Sequence, residues 1–203
     1  MLDVNSNSRR GALILFMKRV FAVCLCLIPL LAISQNFKPL KSLALIKFGT
    51  GKKTVVATIK AIHGVWNVQY SRPQYYVFSN IAFDKNAKSL FVVKFTNDKA
   101  YEADYIIDVP PHTNVLNYYC GTIQKINAVY GRPKSSKQFQ PPCKDGDVND
   151  INAIKAGFAY YSAYWPAGED SIIISIDARL HIILSVQDNK LTDEAYENQT
   201  AVN

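Results

Sequence analysis

"SLFVVKF" (89–95), "TNDK" (96–99) and "AYEADYIIDV" (100–109), read together, decide the fold. The outer two segments are dense in β-branched and aromatic residues, which suit a pleated, half-buried surface. The linker between them is short, polar and turn-like, so the pair is predicted to run as adjacent antiparallel strands. Upstream, "YYVFSNIAF" (75–83) is joined to the first of them by the polar "DKNAK" (84–88) and adds a third strand. Glu102 and Asp104 alternate with apolar neighbours, the pattern of an outward, solvated strand edge.

Working outward, Lys52 to His63 carries Val55, Val56, Ile59 and Ile62 on one helical stripe, with Gly64 placed to end it. Thr50 is the expected cap of that helix. Past the break at Pro110-Pro111, Thr113 to Tyr130 reads as a second helix, with Leu116, Tyr119, Ile123, Ile126 and Tyr130 near one face. Thr113 is its expected cap, and Gly131 followed by Pro133 its stop. "KSSKQFQPPCKDGDVND" (134–150) reads as a polar loop. "FAYYSAYW" (158–165), "SIIISID" (171–177) and "LHIILSV" (180–186) read as strands, and the tail 188–203 as polar and frayed. The order is helix, three strands, then helix, three strands. That predicts an α+β domain: an antiparallel sheet with helices packed on one face, in two tandem α-β-β-β units of about 48–109 and 112–187.

The front of the chain has a separate logic. After Met17 come Lys18-Arg19, an apolar run from Val20 to Ala32, and the small-residue site Ala32-Ile33-Ser34 before Gln35. This is the layout of a secretory signal peptide, Met17–Ser34, behind an upstream extension. Cleavage near Ser34-Gln35 would deliver residues 35–203 as a single domain to the periplasm or the outside. Lys18 and Arg19 interrupt the apolar stretch, which argues against a membrane span needing about 20 unbroken apolar residues. Loss of residues 1–34 takes Arg9, Arg10, Lys18, Arg19 and Asp3, lowering the net charge from +7 to +4. That charge is spread without a basic stripe, so no nucleic-acid partner is expected. Cys24 and Cys26 leave with the leader, and Cys120 and Cys143 remain as an even pair in an oxidising compartment. They are expected to form a disulfide, stabilising by about 3 kcal/mol.

Candidate chemistry is sparse. "KFGTGKKTVV" (47–56) looks like a phosphate loop, but Ile46 stands where the first glycine belongs and Lys53 where Ser or Thr belongs, so no nucleotide is expected. His63, His112 and His181 are scattered, and no metal or other cofactor is expected. Asp145, Asp147 and Asp150 lack the glycine position of a calcium loop. No nucleophile–base motif can be named, so no catalytic residue is expected and a hydrolase is the weakest reading. The aromatics Tyr118, Tyr160, Tyr161, Tyr164 and Trp165 are the remaining signal, as a binding surface for protein, peptide or sugar.

The helix-opening "FGTGKKTVV", "NIAF" before "FVVKF", Tyr130-Gly131-Arg132-Pro133, Trp165 and "IIISI…LHIIL" together resemble small secreted proteins of Gram-negative bacteria. More remotely, the Gly-Thr turn opening a helix before a sheet is similar to the SmpA/OmlA-like and β-lactamase-inhibitor-protein-like folds. The resemblance implies a non-enzymatic module whose partner is an envelope or extracellular protein. A small-ligand or glycan-binding protein using exposed Tyr and Trp is the alternative.

Overall fold

The computed structural model describes residues 41–84, 87–145 and 149–200. The expected signal peptide and its cleavage site lie outside them. Residues Lys38–Asn203 form one compact unit. The chain is α+β, built on one eight-stranded antiparallel sheet. A short helix α1 (Lys41–Ala44) and then α2 (Lys52–Ala61) precede β1 (Val65–Trp66), β2 (Tyr75–Ser79), β3 (Lys88–Thr96) and β4 (Lys99–Asp108). Then α3 (Val115–Tyr130) precedes β5 (Lys134–Phe139), α4 (Asp150–Lys155), β6 (Ala159–Ala167), β7 (Asp170–Ile176) and β8 (Ile182–Asp188), and α5 (Asn189–Thr200) closes the chain.

The strand order is β1-β2-β3-β4-β8-β7-β6-β5. Each half is a four-strand meander preceded by a helix, and the halves meet where β4 pairs β8. The expected unit of three strands is thus one strand short in both halves. The missing strands are the edges: the two-residue β1, and β5, whose "KSSKQF" had read as loop. Edge strands lie beside one neighbour only and are often polar or short, which removes the apolar signal that betrays a central strand.

The β3–β4 hairpin turns through Asn97 and Asp98, both at positive φ (48° and 62°), the geometry a tight hairpin requires. In the register of that hairpin, Phe91 faces Tyr105 and Val93 faces Ala103. The row continues through Leu184, Ile174 and Ala163, and on the other side through Phe78 and Trp66. This row is the sheet's contribution to the core. Val55 and Ile59 of α2 and Tyr119 and Ile126 of α3 join the same buried cluster.

Local details differ from expectation where a neighbouring residue offers a better hydrogen bond. The N-cap of α3 is Asn114, whose side chain accepts from the N–H groups of Leu116 and Asn117, and not Thr113. Gly51 precedes α2 with no side-chain cap, while the Thr50 hydroxyl donates to the carbonyl of Lys47. The tail is helical to Thr200: Asp188 accepts from the N–H of Leu191, and Asn198 Nδ2 donates to Thr96 Oγ1 at 3.3 Å. Thr96 follows Phe95, so strand alternation sets it on the face opposite the core row.

Gly64 is required by space. A Cβ there would lie 2.4 Å from Ile59 Cγ2 and 2.9 Å from the Ile59 carbonyl oxygen, the latter being backbone that cannot swing away. Gly64→Ala should therefore lower stability by about 2 kcal/mol in urea denaturation. An unchanged midpoint would mean that the α2–β1 corner gives way freely.

Candidate functional site

The candidate site is the second face of the sheet, opposite the core row. Strand alternation puts Val77, Val92, Asp104, Ser185, Ile173, Tyr164 and Lys134 there in register across seven strands. The rows on either side run Leu90–Ile106–Ile183–Ser175 and Tyr75–Lys94–Glu102–Gln187. Leu90 and Tyr160 are exposed, while Ile106, Ile173, Ile183 and Tyr164 are half-buried. The face is therefore apolar and serine-rich around a charged centre.

That centre is Lys94, Glu102 and Asp104. Lys94 Nζ lies 2.9 Å from Glu102 Oε1 and 3.1 Å from Asp104 Oδ2. The two carboxylate side chains are only 14% and 8% exposed. The expected solvated edge was wrong because β4 is central and its polar face is covered: Lys94 lies over both carboxylates, and α5 packs on the same face, where Asn198 meets Thr96, Asn189 meets Ser171, and Thr192 and Ala195 are buried. Asp104 Oδ1 is buried and has no hydrogen-bond partner among the described residues. Burial and the neighbouring Asp104 charge push the Glu102 carboxyl up to about 7, against the opposing pull of Lys94. Burial works against the Lys94 ammonium, but Asp104 and Glu102 outweigh it and hold its pKa above the ordinary lysine value. Above the Glu102 value of about 7, one ammonium between two shielded carboxylates leaves a net negative spot in the middle of the face.

A pH dependence follows. With its carboxyl raised in the folded state, Glu102 favours the native protein most below its unfolded value of 4.5 and loses that contribution as pH rises through about 7. Glu102→Gln should flatten the stability profile between those limits and raise stability at pH 8 by on the order of 1 kcal/mol. A variant profile parallel to that of the parent would remove Glu102 as the source.

The aromatics expected as one surface divide between the faces. Tyr160 (50% exposed) and Tyr164 lie on the second face. Trp165 is fully buried on the other, its Nε1–H donating to Asn127 Oδ1 and to the Gly131 carbonyl, so it is a core residue and not part of a binding surface. Tyr161 also points to the core side, edge-on to Tyr119 and Phe139, with its hydroxyl donating to Asp150 Oδ2 at 2.6 Å. Tyr118 is half-buried on α3 and packs against the core. Alternation makes this split unavoidable: neighbours in "YYSAYW" cannot all share a face.

Cys120 and Cys143 are both free cysteines, so the expected disulfide is not formed. Cys120 is exposed on α3 beside the inward Tyr119, whereas Cys143 packs at the margin of the core after β5. His181 sits between Asp177 (2.8 Å, Nδ1) and Asp108 (3.2 Å, Nε2), tying the β7–β8 turn to the end of β4. Lys137 reaches Asp145 and Asp150 and lies over the rings of Phe139 and Tyr161. Among the described residues no three His, Cys, Asp or Glu side chains group as metal ligands, and no helix is long and apolar enough to cross a membrane. A cleft of about 450 Å³ beside the β2–β3 connection is lined by Asn80, Ile81, Lys88, Ser89, Leu90 and Asp108.

Lys94, Glu102 and Asp104 are the functional candidates that the sequence pattern had hidden. The signal was present in a cationic residue inside "FVVKF" and two acids inside "YEADY", whose pairing only the hairpin register reveals. Compared with known proteins, the chain matches no family model, no curated protein and no solved structure.

Proposed function

We propose that the protein is an exported, non-enzymatic binding module that grips a protein or peptide of the cell envelope or exterior on the second face of its sheet. The carrying observation is Asp104: a carboxylate 8% exposed, with one oxygen unpartnered among the described residues, at the centre of an apolar and tyrosine-bearing face. A lysine or arginine of the partner would approach the exposed edge of the Glu102–Asp104 pair, while Ile106, Ile183, Tyr160 and Tyr164 would shed water around the contact. Such desolvated charge contacts ringed by apolar and aromatic groups carry a large share of interface affinity. The two signs on the face set register and select against acidic partners.

The test is retention of the partner by variants. Ile183→Asp with Tyr164→Ser should reduce binding by about tenfold or more, with the thermal midpoint held near that of the parent. Undiminished retention would place the binding surface elsewhere. The cleft beside Asn80, Ser89 and Asp108 favours the second reading, a small polar ligand. Under that reading Asn80→Ala would abolish binding and the sheet-face pair would not.

A further inference from the structure

A second surface stands apart from that face. Between β1 and β2 the chain makes a 3-10 turn, Val68–Tyr70, in which Val68 and Tyr70 are 63% and 61% exposed. Large apolar groups on a floppy loop would carry little meaning, but this loop is built to hold them out. The Ser71 hydroxyl accepts from Trp66 Nε1 (3.0 Å) and from the Val77 N–H (3.0 Å), and donates to the Asn67 carbonyl (2.9 Å). The N–H groups of Tyr70 and Ser71 close on the carbonyls of Asn67 and Val68, and Arg72 and Tyr75 exchange backbone bonds. Arg72 folds its guanidinium back on the turn, donating to the Ser71 carbonyl at 2.8 Å. The result is a rigid knob with an aliphatic and an amphipathic aromatic tip beside a fixed cation. Val65 at the sheet edge and Ile62 at the end of α2 are exposed as well.

The segment that carries the knob is basic. From residue 41 to residue 83 the sequence has no Asp or Glu, while Lys41, Lys47, Lys52, Lys53, Lys60 and Arg72 fall within it. Asp98 enters this region from the β3–β4 hairpin and pairs with Lys52. Positive charge is thus distributed over α2 and the knob and is not focused at one point. That distribution matches a broad anionic plane better than a single acidic side chain. Aliphatic and tyrosine tips beside basic residues are the composition that settles at a lipid headgroup boundary.

We propose that the Val68–Arg72 knob docks the protein on an anionic lipid surface, inserting Val68 and Tyr70 at headgroup depth. This contact is peripheral, needs no spanning segment, and leaves the part of the second sheet face around Ile106, Ile183 and Tyr164 to a protein partner.

The experiment is co-sedimentation with vesicles of phosphatidylcholine alone or with roughly one-third phosphatidylglycerol. Each variant is compared with the parent in the same form, so that any contribution of residues 1–40 cancels. The parent should bind the anionic vesicles several-fold better, and about 0.5 M salt should largely release it. Val68→Asp with Tyr70→Asp should cut the bound fraction about tenfold, and Arg72→Glu about fivefold, with thermal midpoints unchanged. Ile183→Asp on the sheet face should bind vesicles as the parent does, which separates this proposal from the protein-binding reading. Equal binding to both vesicle types, parent-like binding by the double aspartate variant, or capture of the knob by a soluble acidic protein with no vesicle binding would each overturn it.

Discussion

Lys94→Met is expected to lower stability by about 2–3 kcal/mol at pH 8, and by much less at pH 5. The substitution keeps the length of the side chain and removes the only ammonium facing Glu102 and Asp104 in the described structure. Removing one partner of a buried pair leaves an uncompensated charge, a loss of about 3–5 kcal/mol when burial is complete. Lys94 is itself about a third exposed (37% of its side chain), so the lower figure applies. The sign of the pH effect follows from the carboxyls. Without Lys94, the Glu102 carboxyl loses the charge that opposes its upward shift and keeps its proton in the folded state to higher pH, so the deficit is small at pH 5 and grows as pH rises through about 7. Urea denaturation at the two pH values checks this. An equal loss at both would mean that packing of the methylene stem, not the charge, is what matters.

The other large effect belongs to Trp165. Truncation to alanine should cost about 3–5 kcal/mol, because the ring fills space between β6 and α3 that the backbone cannot close. It also leaves Asn127 Oδ1 and the Gly131 carbonyl without their indole donor. Trp165→Phe restores most of the volume but not the N–H, and should lose about 1–3 kcal/mol. Both variants report on folding alone, since the residue is fully buried. If Trp165→Ala melted like the parent, the second half of the sheet would not rest on α3 as described.

How much of this was legible in the sequence depends on which physical signal each part carries. The β3–β4 hairpin was readable because dense β-branched and aromatic residues flank a short polar link, and α2 and α3 because their apolar stripes repeat at helical spacing. β5 was not, since "KSSKQF" is an edge strand whose composition is that of a loop. α5 was not, since its sequence is polar and its place is set by contacts such as Asn198 with Thr96 and by the capping carboxylate of Asp188. The site failed to show for a topological reason. Glu102 and Asp104 look like solvated edge residues until β8 is known to pair with β4, and no local pattern announces that the last strand of each half will meet at the centre. The cysteine pair misled because an even number says nothing about whether an exposed helix position and a core-margin loop can meet.

The most direct test of the account is a photo-crosslinking scan in cells. A photoreactive residue is placed singly at Ile106, Ile183 and Tyr164 on the second face, and at Thr58 and Lys125 on the outer surfaces of α2 and α3. The account predicts one discrete adduct, common to the three sheet positions and missing from the two helix positions. Adducts from the helix positions alone, or none from the sheet positions, would contradict the claim that the second face is where this protein binds.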